Sequence, residues 1–202
     1  MTALCGLDER LLALRERAKE VRDPTAADDT LAYILNLIEK IAPKRILEIG
    51  AAEGLTSIAM LLCGAERVTA IECDAARASR ARENFARFRL TDRVTLIEDD
   101  AGRVLPALEE DGAYGLIFLD GPKAQYRRYF ADCKRLLQGG GALVSDDVLL
   151  FGYVTGEPPK KRRMLAEHIR EYLAMLQNDP DFTTEILPLA EGLAVSRKVY
   201  ET

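Results

Sequence analysis

Asp120 and Lys123 stand three residues apart in "LIFLDGPKAQY", where four apolar residues run straight into a carboxylate, a Gly-Pro turn and an amine. A second apolar run ends in Asp146 and Asp147, in "ALVSDDVLLFG". If both runs are strands of one parallel sheet, their C-terminal ends open onto the same crevice, and three carboxylates and a lysine converge there. Oxygen donors without histidine or cysteine suit Mg2+, which prefers carboxylates and keeps waters. A substrate with two neighbouring oxygens can chelate such a cation, which lowers the pKa of the attacking hydroxyl. Lys123, desolvated nearby, is then expected to have a depressed pKa and to take the proton as general base. The plainer reading is a surface lysine after a turn; the neighbouring aspartates favour the base.

These residues need a scaffold, and the chain supplies an alternating one. "RILEI", "RVTAIE", "VTLIE", "YGLIFL" and "GGGALVS" read as strands. Helical stretches at "LTSIAMLL", "DAARASRARENFARF", "GRVLPALEE" and "QYRRYFADCKRLL" separate them. Such alternation implies a parallel sheet with right-handed crossovers and helices on both faces. Two further helices precede it: one with Leu7, Leu11, Leu14 and Ala18 on one side, the other over Ala27 to Ile41. After the fifth strand, "PKKRRMLAEHIREYLAMLQ" reads as one long amphipathic helix. Phe182 to Leu187 and Leu193 to Arg197 then read as an antiparallel hairpin. The expected unit is one domain over 1–202, with a helical extension over 1–42 and a catalytic core over 43–202.

The 202 residues are 48% hydrophobic and 30% charged, enough for a core of their own. No run is apolar enough to span a membrane and the N-terminus lacks a signal peptide's apolar block, so the expected location is cytoplasmic. Cys5, Cys63, Cys73 and Cys133 form no CxxC pair and read as reduced, partly buried thiols. A net charge of −5 argues against nucleic-acid binding driven by overall charge but leaves room for a local basic patch. With one histidine and no GxSxG elbow, a Ser-His-Asp hydrolase is unsupported.

Three more strand ends carry binding chemistry. "LEIGAAEGLTS" has Gly50 and Gly54 for a tight turn and close ligand approach, although Ala52 breaks the GxGxxG pattern. "AIECD" places Glu72 where an acidic residue can accept from two ribose hydroxyls. "EDDAGRV" offers Asp100 and Ala101 to an adenine. Each alone also reads as a turn or a helix cap; all three at successive strand ends are a stronger signal.

Together, "ILEIGAAEGLTSIAM", "AIECD", "EDDA", "FLDGPKAQY" and "GGGALVSDDVLLFG" resemble class I S-adenosylmethionine-dependent O-methyltransferases of the metal-dependent catechol and caffeoyl-CoA type. The nearest likeness is to the bacterial branch that methylates 5-hydroxyuridine in tRNA, through "DGPKAQY", "SDDVLLFGYV", "RRML" and "PLAEGLAVS". The resemblance covers roughly Ala26 to Lys198. It implies an α/β fold: a doubly wound, Rossmann-like, seven-stranded sheet of five parallel strands closed by the antiparallel hairpin. It implies that Glu48, Gly50, Thr56, Glu72, Asp100, Ala101 and Asp120 bind S-adenosylmethionine, with S-adenosylhomocysteine as product. It puts metal ligands at Asp120, Asp146 and Asp147 and the catalytic pair at Lys123 and Asp120. Asp147 departs from the family, which usually has Asn there; a third carboxylate would tighten Mg2+ binding, admit Mn2+ or Ca2+, or serve only as an outer partner. The segment near Thr25 and Ala26 is expected to fold over the cofactor.

The acceptor is less determined. Catechols and 5-hydroxyuridine both present two adjacent oxygens. "FGYVTGEPPKKRRM" should overhang the metal, with Gly152 and Gly156 giving flexibility. Lys160, Lys161, Arg162 and Arg163 read either as a solvated turn or as a seat for RNA phosphates. Phe151, Tyr153 and Tyr126 are candidates for stacking on a flipped base, with core packing as the alternative. The two N-terminal helices carry apolar faces beyond what the sheet needs, and the resemblance, whose members are commonly dimers, implies a homodimer.

Overall fold

The computed structural model describes residues 6–200; Cys5 lies outside them. Helices α1 (Glu9–Glu20) and α2 (Asp28–Ile41) lead into β1 (Arg45–Ile49), α3 (Leu55–Leu62), β2 (Arg67–Ile71), α4 (Ala75–Arg87) and β3 (Val94–Ile97). Then come α5 (Ala101–Ala107), β4 (Tyr114–Leu119), α6 (Tyr126–Leu136), β5 (Leu137–Ser145), α7 (Arg163–Asn178), β6 (Phe182–Leu187) and β7 (Leu193–Lys198).

The seven strands form one sheet in the order β3-β2-β1-β4-β5-β7-β6. Pairings from β3 through β5 are parallel; β7 pairs antiparallel with both β5 and β6. The chain winds outward from β1 to β3, then returns to start β4 on the other side of β1. That reversal opens a crevice at the C-terminal ends of β1 and β4, where open α/β sheets bind ligands.

Alternation along the strands builds a core on each face. Ile46, Leu116 and Phe118 point to one side, against Ile34, Ile38, Ile58 and Phe85 from the helices. Leu47, Ile117 and Leu119 point to the other, against Leu105, Tyr129, Phe130, Ile169 and Tyr172. All six residues of β4 are buried, as expected of a central parallel strand. The apolar faces of α1 and α2, read from sequence as a surplus, are largely spent within this chain: Leu11, Ala18, Leu31, Ile34 and Ile38 belong to the first core.

Two helix boundaries differ from the sequence reading. Lys160–Arg162 is a 3-10 turn after Pro159, so α7 starts only at Arg163. Helix α5 stops at Ala107, and Leu108 is extended. Pro106 lies in its last turn and has no N–H to donate; Arg128 Nη2 donates to the Gly102 carbonyl four residues back, at 3.2 Å. No helix among the described residues is long and apolar enough to cross a membrane. Among them Cys63, Cys73 and Cys133 are free thiols.

Candidate active site

The strand ends are laced together through their backbones. Gly50 N donates to Ile71 O at 2.9 Å, Asp120 N to Ile49 O at 2.9 Å and Asp146 N to Leu119 O at 3.0 Å. Each loop therefore starts from a fixed point on its neighbour. Gly50 has φ +94°, and a Cβ there would stand 2.6 Å from the Asp120 carbonyl oxygen. Gly54, at φ +76°, caps α3, where a Cβ would run into the Phe85 ring. Both glycines are steric requirements of the turn.

Above these ends lies a cavity of about 580 Å³. Its lining divides by strand into two halves: Gly50, Thr56, Glu72, Asp100 and Ala101 follow β1, β2 and β3, and Asp120, Lys123, Asp146 and Asp147 follow β4 and β5. Glu72 is 6% exposed, and its two carboxylate oxygens accept from Ala52 N and Asp74 N, both at 2.8 Å. Each oxygen keeps a lone pair for a ligand hydroxyl. Asp100 caps α5 by accepting from Gly102 N at 2.9 Å, and Asp74 caps α4 by accepting from Arg77 N. For Asp100 the capping and binding readings are compatible, since a capping carboxylate has a second oxygen to spare.

Glu48 stands elsewhere. It is 1% exposed, is absent from the cavity lining, and accepts a hydrogen bond from Ser57 Oγ behind the β1 turn. Burial, opposed by that bond and reinforced by the charges of Asp120 and Glu72, pushes its carboxyl up to about 8.

In the second half, Lys123 Nζ lies 2.8 Å from Asp120 Oδ1 and 3.0 Å from Asp147 Oδ2. Burial alone would lower its pKa, but the Asp120 and Asp147 charges overcome this and hold it above the ordinary lysine range. Two carboxylates beside this amine set that direction; the depressed pKa expected from sequence belongs to a site that also holds the cation. Asp120 is raised, chiefly by burial and against the pull of Lys123. Asp146 reaches about 7, through burial and then the charges of Asp120 and Asp147. Asp146 Oδ1 accepts from Asp147 N at 2.9 Å and from Thr30 Oγ1 at 3.3 Å. Tyr126 Oη donates to the carbonyls of Leu119 at 2.9 Å and Asp146 at 3.2 Å, bridging the ends of β4 and β5.

Asp120, Asp146 and Asp147 offer oxygen donors alone, the type a hard cation takes, and burial pushes Asp120 and Asp146 toward protonation. Among the described residues, no three acidic, histidine or cysteine side chains close into a ligand cluster. The positive charge among them is the Lys123 ammonium.

The overhanging segment is more fixed than its glycines suggested. Arg170 donates to the carbonyls of Tyr153, Val154 and Gly156 at 3.0, 2.8 and 2.9 Å. Phe151 is 73% exposed, whereas Tyr126 is fully buried against Tyr172 and is no stacking candidate. Lys160 to Arg163 are exposed, and among the described residues they form no ion pair.

Thr30, Ser57 and Tyr126's bridging role gave no signal in the sequence. Thr30 meets Asp146 across 116 positions of chain, and a threonine in the apolar stripe of a helix looks like packing.

An O-methyltransferase family model matches residues 9–199. The chain is 32% identical over 200 residues to a catechol O-methyltransferase of Niastella koreensis, covering 94% of this chain and 90% of that one. It is 24% identical to a caffeoyl-CoA O-methyltransferase of Populus kitakamiensis, covering 91% and 87%. Among solved structures, a Staphylococcus aureus protein assigned as a caffeoyl-CoA O-methyltransferase superposes with a TM-score of 0.86 at 30% identity, covering 95% and 93%. A Podospora anserina methyltransferase bound to S-adenosylhomocysteine superposes with a TM-score of 0.83 at 25% identity, covering 95% and 88%.

Proposed function

This chain belongs to the O-methyltransferase family, and on that premise we propose that it moves a methyl group from S-adenosylmethionine to the 5-hydroxyl of 5-hydroxyuridine in tRNA. The observation that carries the reading is the two-part cavity. One cavity gathers Gly50, Glu72 and Asp100, from the ends of β1 to β3, together with Asp120, Lys123 and Asp146, from the ends of β4 and β5. A donor and an acceptor held in one cavity react as if intramolecular, and transfer needs little more than in-line alignment.

Gly50 brings the backbone against the methionine part of the donor, Glu72 receives the ribose hydroxyls and Asp100 flanks the adenine. Asp120 and Asp147 fix Lys123 Nζ in place; the positive charges of a bound donor and cation would lower its pKa, leaving a neutral amine to take the acceptor hydroxyl's proton at Nζ. The C–S bond to the methyl breaks as the C–O bond forms, giving S-adenosylhomocysteine and a methyl ether. Asp120, Asp146 and Asp147 would hold a divalent cation, Mg2+ first and Mn2+ or Ca2+ next. When bound, such a cation lowers the pKa of a hydroxyl that shares it with a neighbouring oxygen.

The tRNA acceptor is supported by an exposed basic cluster at the start of α7. Four cations at 160–163 have no ion-pair partner among the described residues. They sit where they oppose the dipole of α7, an arrangement that a phosphate would relieve. Exposed Phe151 offers a face for a splayed base. A second reading, a small catechol-like acceptor, is favoured by the 32% identity to a catechol O-methyltransferase.

The two separate in one experiment. The protein is incubated with labelled S-adenosylmethionine and Mg2+, with tRNA rich in 5-hydroxyuridine in one tube and a catechol panel in another. The expected product by nucleoside mass spectrometry is labelled 5-methoxyuridine that disappears with EDTA. Methylated catechol with untouched tRNA would overturn the tRNA reading.

A further inference from the structure

Arg15 is an arginine in the wrong place for its helix. It lies in α1, is 1% exposed, and sits among residues that bury apolar surface. Burying a guanidinium costs free energy that only close partners repay. All of its partners come from one short segment. Nη1 donates to Thr25 Oγ1 at 2.9 Å, and Nη2 donates to Ala26 O at 2.6 Å and Asp28 Oδ1 at 3.0 Å. Nε has no partner.

That segment is a wall of the cavity: Pro24, Thr25, Ala26 and Ala27 line it together with Gly50 and Glu72. It is tied down at both ends. On the α2 side, Lys19 Nζ adds a 2.7 Å contact to Asp28 Oδ2. On the α1 side, Asp23 pairs with Arg80 at 3.1 Å and Arg77 at 3.4 Å, both from α4. Arg80 also pairs with Glu53, which lines the cavity in the turn after β1. The chain thus spans from α1 to α2 as a strap across the donor half, with a buried guanidinium under its middle.

We propose that Arg15 is a positioning residue for the methyl donor: it clamps Pro24–Ala27 as the outer wall of the donor half, and Asp23 with Arg77 and Arg80 forms the second anchor. The strap has no contact with the acceptor carboxylates through these bonds, so its effect falls on donor affinity and not on the chemical step. The inference rests on the cofactor reading of the cavity.

The test is isothermal titration with S-adenosylhomocysteine on the wild type, Arg15→Met, Arg15→Lys and Asp23→Asn, with steady-state kinetics in parallel. Arg15→Met is expected to raise Kd at least tenfold and to raise KM for the donor by a similar factor. Its kcat at saturating donor should change less than twofold, and its KM for the acceptor should hold. Arg15→Lys keeps the charge but cannot reach three oxygens at once, and should restore part of the affinity. Asp23→Asn lies outside the buried core and should raise Kd severalfold with the fold intact. A lowered melting temperature with unchanged Kd in Arg15→Lys and Asp23→Asn would make the network purely structural and overturn the clamp, whether or not Arg15→Met folds. A wild type that does not bind S-adenosylhomocysteine would overturn the cofactor reading and the clamp with it.

Discussion

Gly50 and Asp120 touch backbone to backbone: a Cβ on the first would stand 2.6 Å from the carbonyl oxygen of the second. The contact joins the donor turn to the acceptor loop at the point where the two halves of the cavity meet. Gly50→Ala must therefore accept a left-handed backbone, which costs an alanine roughly 1–2 kcal/mol, and push Asp120 aside as well. The expected result is a lower melting temperature together with at least a tenfold loss of S-adenosylhomocysteine affinity by calorimetry. A variant that binds the wild-type way would show that the close approach is dispensable.

In the proposed reaction Lys123, held by Asp120 and Asp147, is the amine beside the acceptor. Proton transfer by a placed side chain contributes typically ~10²–10⁴-fold to rate. Lys123→Met should lower kcat by about 10²-fold or more while S-adenosylhomocysteine binding stays within a few-fold. Single-turnover rates at saturating donor and acceptor read this directly. A variant retaining most of its rate would return Lys123 to a charge-balancing role.

Glu48 gives a pH signature in stability. Its carboxyl titrates near 8 in the folded chain, because burial disfavours the charged form, against an ordinary value of 4.5. The folded state then binds the proton more tightly than the unfolded state. Its stabilising contribution is whole below about pH 4.5, falls as pH rises toward 8, and is level above that. The slope is at most ~1.4 kcal/mol per pH unit. In urea melts between pH 5 and 9, Glu48→Gln should be less sensitive to pH than the wild type. Parallel stability curves for the two would contradict the assignment.

Reversing the charge of Arg162 and Arg163 separates the two acceptor readings. If those cations seat phosphates, the double substitution to Glu should cut tRNA methylation by about tenfold or more and flatten its salt dependence. Turnover of a catechol, which carries no phosphate, should be unchanged. Equal losses on both substrates would mean that the substitutions had disturbed the overhanging segment itself.

What could be read from the sequence were the features written in consecutive residues. Apolar runs such as "YGLIFL" had to be buried strands, and a carboxylate or glycine directly after each run had to lie at the open end of the sheet. Glu72, Asp100, Asp120, Asp146 and Asp147 followed from that rule, and the cavity collects all of them. Glu48 obeyed a different one. It precedes the end of β1, so the pleat turns its side chain under the turn toward Ser57. Arg15 and Thr30 depend on packing between elements far apart in the chain, and a charge in an amphipathic helix reads as solvent-facing until its neighbours are known. The direction of the Lys123 shift depends on which charges come closest, a matter of ångströms that no spacing encodes.

The strand order has a genealogical consequence. Sheet strands β3, β2 and β1 with their loops supply the donor half, and β4 and β5 with theirs supply the acceptor half. The chain passes from the first set to the second through the exposed turn at 109–112, while β1 and β4 pair side by side and one core runs across both. A lineage can therefore redraw the loops after β4 and β5 for a new acceptor, but the strands beneath them must still match β1 and the Gly50 turn. The Thr30 hydroxyl on Asp146 is a further thread between the two, and a chimera spliced at that turn would have to bring its own match for it.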